Sequence, residues 1–276
     1  MQRLGTFLAA ALFLLACGDA GNIFGTGGGG AGASAGVGAG MGTGASGMGG
    51  GFTPTGGATG GGNGEGGQTG NCEQILKGTI RDFTSSHPDF EGVLGTDKGI
   101  VENQIGGDQK PVYAGPTPTT NGKAAFDQWY RNTDGVNLAI PLSVPLTETS
   151  PGVFTFDDSE FFPIDDQGFG NEGNPHNYHF TYEIHAEFTY EGGEVFQFTG
   201  DDDLFTFING RLAIDLGGVH GPQSASIDLD AEAQNLGITV GETYNLDFFF
   251  AERHTTQSNF RIDTSIKCFN DVPVPQ

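Results

Sequence analysis

The stretch Asn177–Tyr190, NYHFTYEIHAEFTY, alternates apolar and polar side chains along its whole length. Tyr178, Phe180, Tyr182, Ile184, Ala186, Phe188 and Tyr190 fall on one face. His179, Thr181, Glu183, His185, Glu187 and Thr189 fall on the other. A period of two sends successive side chains to opposite sides of an extended strand, and helical geometry cannot separate this set. The pattern predicts a half-buried strand that needs a sheet beside it and a second layer over its apolar face. TYNLDFFFAE repeats the pattern with Tyr244, Leu246, Phe248 and Phe250, and NFRIDTSIKCF with Phe260, Ile262, Ile266 and an inward-pointing Cys268. EVFQFTG, LFTFING, RLAIDL and SASIDLD read as shorter strands, and Asn209-Gly210 is a hairpin-turn dipeptide. KAAFDQWYR, Lys123–Arg131, has helical spacing, with Phe126, Trp129 and Tyr130 sharing a side. Strands joined by long loops over roughly 200 residues predict an all-β antiparallel sandwich or barrel with one short helix.

Ahead of the strands the sequence changes character. MQRLGTFLAAALFLLACGDA starts with Arg3 and an apolar run, Leu4–Ala16, too short to span a bilayer as a mature helix; this is a secretory leader pattern. LLAC, Leu14–Cys17, resembles the lipobox of bacterial lipoproteins. That resemblance implies a signal peptide over 1–16, cleavage before Cys17 and acylation of that cysteine; the other reading is an ordinary leader with a chance cysteine. Residues 18–70 hold most of the excess among 49 glycines, no lysine or arginine, and only Asp19 and Glu65 as acids. Such a segment cannot bury enough apolar surface to offset the entropy of ordering it, which predicts a disordered glycine-rich tether. The expected organisation is a leader over 1–16, a lipidated cysteine and tether over 17–70, a β domain over 71–270 and a tail over 271–276. It describes a secreted protein, lipid-anchored to a bacterial outer membrane or cell surface. Cys72 and Cys268 bracket the β domain and read as one disulfide or as two free thiols.

Eleven lysines and arginines stand against 34 aspartates and glutamates, a formal net charge of -23. Charge this negative argues against nucleic acid as a partner, because phosphate binding needs a basic face. The acids are not spread evenly. FTGDDDLFTFING sets Asp201, Asp202 and Asp203 side by side between two strands, where their mutual repulsion demands a partner. Hard oxygen donors in a strand-end loop suit Ca²⁺, which takes six to eight of them; the other reading is a solvated acidic turn. IDDQGFGNEGN gathers Asp165, Asp166, Asn171 and Glu172 without the spacing of an EF-hand, and reads as a connecting loop or as a weaker oxygen site. In DLGGVHGPQSAS, Asp215 and His220 line either a recognition surface or an ordered structural loop. His179 and His185, with Glu183 and Glu187, form a metal-binding face or a solvated, sheet-packing one. The six histidines match no standard zinc motif.

The blocks FFPIDDQGFGNEGNPHNYHFTYEIHAEFTYEGGEVFQF, GDDDLFTFINGRLAIDLGGVHG and LDFFFAERHTTQSNFRIDTSI closely resemble the fibro-slime domain, and GTIRDF, HPDFE, KPVYAG and FDQWYR match its early part. That domain is related to the PA14 β-sandwich of toxins, glycosidases and fungal adhesins. The resemblance covers nearly all of Gly78–Ile266 and implies a PA14-like sandwich. In PA14 adhesins the two aspartates of an Asp-Asp-Gly motif, joined by a cis peptide, hold a Ca²⁺ that binds sugar hydroxyls. Aligned on the strand ending in ING, the motif falls on Asp201 and Asp202, with Asp203 in place of the glycine, where it closes the site or adds a ligand. The adhesins complete the ion's shell from a loop that corresponds to AERHTTQSNF, which makes Asn259 a candidate ligand. Glu252 is the nearer carboxylate and reads either as a ligand or as a pair with Arg253 or Arg261.

Together these readings predict a surface-displayed, Ca²⁺-dependent module for an extracellular glycan or surface polymer, held to a membrane by its lipid. The alternative is a matrix-assembly protein that binds other proteins, with any metal purely structural. No nucleophile elbow, HExxH or helix-borne acid pair is present, so an enzyme is not expected.

Overall fold

The computed structural model describes residues 74–273. The leader, Cys17, the tether and Cys72, and hence the pairing of Cys72 with Cys268, lie outside them. In chain order the elements are β1 (Ile75–Asp82), β2 (Gly95–Thr96), α1 (Lys123–Phe126), β3 (Leu138–Pro145), β4 (Thr147–Ser150), β5 (Val153–Asp158), β6 (Phe180–Thr189), β7 (Val195–Gly200) and β8 (Asp203–Ile208). They continue with β9 (Arg211–Leu216), β10 (Gly218–Val219), β11 (Gln223–Asp228), α2 (Leu229–Leu236), β12 (Thr243–Glu252), β13 (Phe260–Thr264) and β14 (Asn270–Asp271).

Two antiparallel sheets, with a two-stranded β10–β2 ribbon beside them, form an all-β sandwich. The larger runs β3-β1-β6-β12-β8-β9, with β14 added to β6, and the smaller runs β11-β7-β13-β5-β4. The alternating strands seen in the sequence lie at the centre: β6 pairs with β12 from Phe180↔Glu252 to Thr189↔Thr243, and β12 pairs with β8 from Leu246↔Ile208 to Ala251↔Asp203. Their apolar faces meet the smaller sheet. Phe260 of β13 lies at the focus of this core, with ring centroids 4.5 Å from Phe161, 5.2 Å from Phe250 and 5.3 Å from Phe198. Such offset and edge-on aromatic contacts add to the stabilisation from burial alone.

The expected solvated face of β6 is not solvated. Thr181, Glu183 and His185 are all buried, covered by a second apolar cluster that includes Ile100, Phe126, Trp129, Tyr130, Phe205, Phe207 and Phe249. The loops between β1 and β3 fold back over this side, so polar alternation here marks a buried ionic layer. His185 Nδ1 lies 2.6 Å from Asp247 Oδ1, and its Nε2 lies 2.7 Å from Glu183 Oε1. Glu183 also accepts from Arg81 at 2.6 Å and from Lys110. Both ring nitrogens of His185 thus face a carboxylate. Burial alone would lower its pKa, and Asp247 and Glu183 raise it above the ordinary value.

Three other expectations are corrected. The helix at Lys123 stops at Phe126 and continues as turns, although Phe126, Trp129 and Tyr130 are buried as their spacing implied. A second helix, α2, begins inside SASIDLD; the Asp228 side chain caps it by accepting from Asp230 N and Ala231 N, and Gly237 ends it at φ 69. The last long strand ends at Thr264, leaving Cys268 half-buried in the segment that follows. Among the described residues, no helix is long and apolar enough to cross a membrane.

Candidate metal-dependent binding site

The aspartate run sits where β7 hands over to β8, at the end of the sandwich to which the end of β12 and the start of β13 also come. The turn is crowded. A Cβ on Gly200 would meet the Asn259 carbonyl oxygen at 2.3 Å, so this position excludes any other residue. The Asp201–Asp202 peptide is cis, as the adhesin resemblance implies.

The three carboxylates meet different fates. Asp203 is fully buried against Arg253, which donates from Nε at 2.5 Å and Nη2 at 3.0 Å; Gly218 N adds a bond at 2.6 Å. Arg253 also lies over the Trp129 ring, 4.6 Å from its centroid, and donates to the Asp89 and Thr119 carbonyls. Asp203 is therefore corrected from an expected metal ligand to the structural anion that ties the covering layer to the sheet. Burial, set against the favourable Arg253 charge, still leaves its pKa raised.

Asp201 and Asp202 are held by N–H donors rather than by an ion pair. Asp201 accepts from Asn259 N at 2.5 Å and Asn259 Nδ2 at 3.0 Å, and Asp202 from His220 N at 2.9 Å and Arg253 N at 3.0 Å. Burial raises the pKa of Asp201, and burial with the adjacent Asp203 pushes Asp202 up to about 8. Glu252 goes further. It is 1% exposed, and neither carboxylate oxygen makes a well-formed hydrogen bond; the Ser258 hydroxyl and His254 N–H lie beside it and offset its burial only in part. Burial and the Asp202 and Asp201 carboxylates push its pKa well above the ordinary glutamate range. The expected pairing of Glu252 with Arg253 or Arg261 fails because Arg253 turns to Asp203, and Arg261 to Asp157 and Asp263.

Asp201 and Asp202 line a pocket of about 440 Å³, together with His220, His254, Gln257 and the apolar Leu94, which is 64% exposed at its rim. The His220 ring is held between the Gly221 and Leu216 carbonyls. Asp215 is not in this pocket; it accepts from Gly99 N and Gly217 N and braces the neighbouring loops. The acids of IDDQGFGNEGN are used locally: Asp165 accepts from Asn177 N, and Glu172 from Ser85 N, with His179 Nδ1 3.1 Å away. That segment is a connecting loop.

The donors around Asp201, Asp202, Asn259 and Glu252 are oxygens, with an orphaned buried carboxylate among them, which is the chemistry a hard dication takes. As the side chains stand, no three His, Cys, Asp or Glu among the described residues surround one point in metal-holding geometry, so the expected full convergence of carboxylates is not met. Backbone donors occupy only part of each aspartate's acceptor capacity, because each oxygen carries two lone pairs. Sequence reasoning missed Arg253 as the partner of Asp203. The only signal for it is the β12–β8 register, in which Ala251 faces Asp203.

An all-β sandwich with an acidic, oxygen-rich pocket at its strand ends is the class this geometry defines. Residues 149–270 carry a match to the PA14 domain family model, from β4 into β14. The chain is 41% identical over 217 residues to protein psiR of Dictyostelium discoideum, covering 70% of this chain and 21% of that protein. It is 39% identical over 214 residues to protein psiD of the same organism, covering 70% and 41%. The chain thus spans well under half the length of these relatives. Among solved structures it is similar to the PA14 sugar-binding domain of an RTX adhesin, with 8% identity, 72% and 95% coverage and a TM-score of 0.33. It is also similar to the epithelial adhesin 9 A domain of Candida glabrata in complex with Galb1-4GlcNAc, with 11% identity, 72% and 89% coverage and a TM-score of 0.31. At these scores the superpositions assign no residue a role.

Proposed function

We propose that this domain is a non-catalytic recognition module that binds an extracellular carbohydrate through a calcium ion, displayed at a membrane by an acylated Cys17. The observation that carries the reading is the buried carboxylate of Glu252, with no ion-pair partner and no well-formed hydrogen bond, beside Asp202 and Asp201 and next to an open pocket. Burying ionised carboxylates without a countercharge is costly, and a bound dication removes that cost. Asp201, Asp202, Glu252 and the Asn259 amide oxygen would hold the ion, which would present a Lewis-acidic face to sugar hydroxyls. His220, His254 and Gln257 supply the remaining polar contacts of the pocket.

One observation favours the second reading, a purely structural ion in a matrix-assembly protein: Glu252 is almost fully occluded, and the pocket has no Phe, Tyr or Trp wall. A glycan array probed with the protein in calcium and in chelator tests both. Calcium-dependent glycan binding supports recognition. A calcium-dependent rise in melting temperature without any glycan signal supports the structural ion, and no effect of calcium on either rejects the metal.

A further inference from the structure

The segment Thr256–Asn259 is a wall with two sides. On one side lies the pocket described above. On the other lies a second cavity of about 340 Å³ that shares Thr256 and Gln257 with the first. Its makeup differs. Phe162 and His176 stack face to face, centroids 4.0 Å apart and planes 9° from parallel, and Tyr178 stands edge-on to them at 5.0 and 5.9 Å. Apart from Pro175, the remaining lining is polar side chains. Asn259 contributes the residue whose backbone and amide N–H groups hold Asp201 on the far side, while the Ser258 hydroxyl is buried toward Glu252.

The Phe162 and His176 rings lie against each other and Tyr178 is buried, so the cavity offers a ring edge and mostly hydroxyl, amide and carboxylate groups, a lining that suits a polyhydroxylated ligand such as a pyranose. A wholly apolar ligand would strand the polar lining, and a polyanion would meet Glu160. The wall itself is held in shape. Thr256 has φ 137, a conformation a β-branched residue rarely adopts, and it is flanked by Thr255, whose N–H donates to Glu91 at 2.8 Å, and by Asn259 on Asp201.

We infer that this aromatic-walled cavity is a second sugar subsite, and that the ligand is an oligosaccharide crossing Gln257 from one pocket into the other. The inference rests on the carbohydrate reading above. The test is titration calorimetry of the protein in calcium with mono-, di- and trisaccharides of galactose, glucose and mannose, repeated with Phe162→Ala, His176→Ala and Tyr178→Phe. At least one disaccharide should bind at least tenfold tighter than its monosaccharide. The two alanine variants should return it to the monosaccharide level while leaving monosaccharide affinity unchanged; part-exposed His176, whose ring also bonds Asp165, gives a variant that folds even if Phe162→Ala does not. Equal affinity for mono- and disaccharide, or a gain that survives both alanine variants, would overturn the second subsite alone. No sugar binding at all would overturn it together with the carbohydrate reading.

Discussion

Two groups of buried acids lie along the central strands of this domain, and they are treated in opposite ways. Midway along β6 and β12, Glu183 and Asp247 are enclosed by His185, Arg81 and Lys110, and burial notwithstanding, these partners hold the Glu183 pKa below its ordinary value. At the strand ends, Glu252, Asp202 and Asp201 are buried without an ion-paired side chain, and burial raises all three pKa values. Chain chemistry is the same in both places. What differs is whether the fold brings its own countercharge. The first group is ion-paired within the fold and works as structure; the second has no ion-paired basic side chain of its own, and the calcium proposed above would supply that charge.

The largest effect that separates the two comes from removing an acid from each. Glu183→Ala leaves Arg81, Lys110 and His185 buried together without their shared anion and should cost about 3–5 kcal/mol, read as a lower urea midpoint that calcium does not restore. Glu252→Gln should behave in the reverse way. In chelator it should match or exceed the native protein in stability, because the amide mimics the neutral form that burial favours. A loss as large as that of Glu183→Ala would mean that Glu252 is paired within the fold after all.

Calcium supplies the next contrast. At a concentration a hundredfold above Kd it should stabilise the native protein by about 2.7 kcal/mol. It should add nothing to Glu252→Gln or Asp202→Asn, as followed by thermal unfolding. An undiminished increment in both variants would place the ion elsewhere.

Titration distinguishes the groups more gently. Asp202 keeps its proton in the folded state up to about 8, far above its unfolded value, so the chelated protein binds excess protons when folded and loses stability as pH rises from about 4 to 8. His185 is also raised when folded; its contribution is fully present below about 6.5 and is lost as pH rises through its folded value. Each proton contributes at most about 1.4 kcal/mol per pH unit. Calcium should flatten the Asp202 slope by holding the carboxylate ionised and leave the His185 slope intact, whereas His185→Gln should do the opposite. Denaturant midpoints across pH 5–9 check this. The smallest effect is the control: Asp157→Ala removes an exposed partner of Arg261 and should change stability by less than about 1 kcal/mol.

Much of the fold was legible because it is written in period two. The faces of β6, β12 and β13 follow from Phe180 through Phe260 without long-range information. The burial of His185 and Glu183 was not legible, because local alternation cannot say that the residues around Trp129 return to cover the polar side. Asp201 and Asp202 stood out through their adjacency. The role of Asp203 did not, because its partner Arg253 is fifty positions away and is set by strand register. The α2 helix was missed although Asp228 and Gly237 bracket it, since the apolar alternation of SASIDLD runs straight into its first residue.

Strand register also fixes where a load would act. β1 enters the sheet at Ile75, near Glu187 of β6, and Asn270 pairs with that same Glu187, so both ends of the described chain meet the sheet at one pole. The pocket lies at the other pole, beyond Phe180 and Glu252, a β6 length or roughly 30 Å away. A ligand gripped there and a chain pulled from the opposite pole would put tension along the strand axes. The β1–β6, β6–β12 and β12–β8 ladders would then be sheared as blocks, with their hydrogen bonds sharing the force, rather than peeled apart one bond at a time. This is a mechanically strong orientation for a domain loaded along its strands.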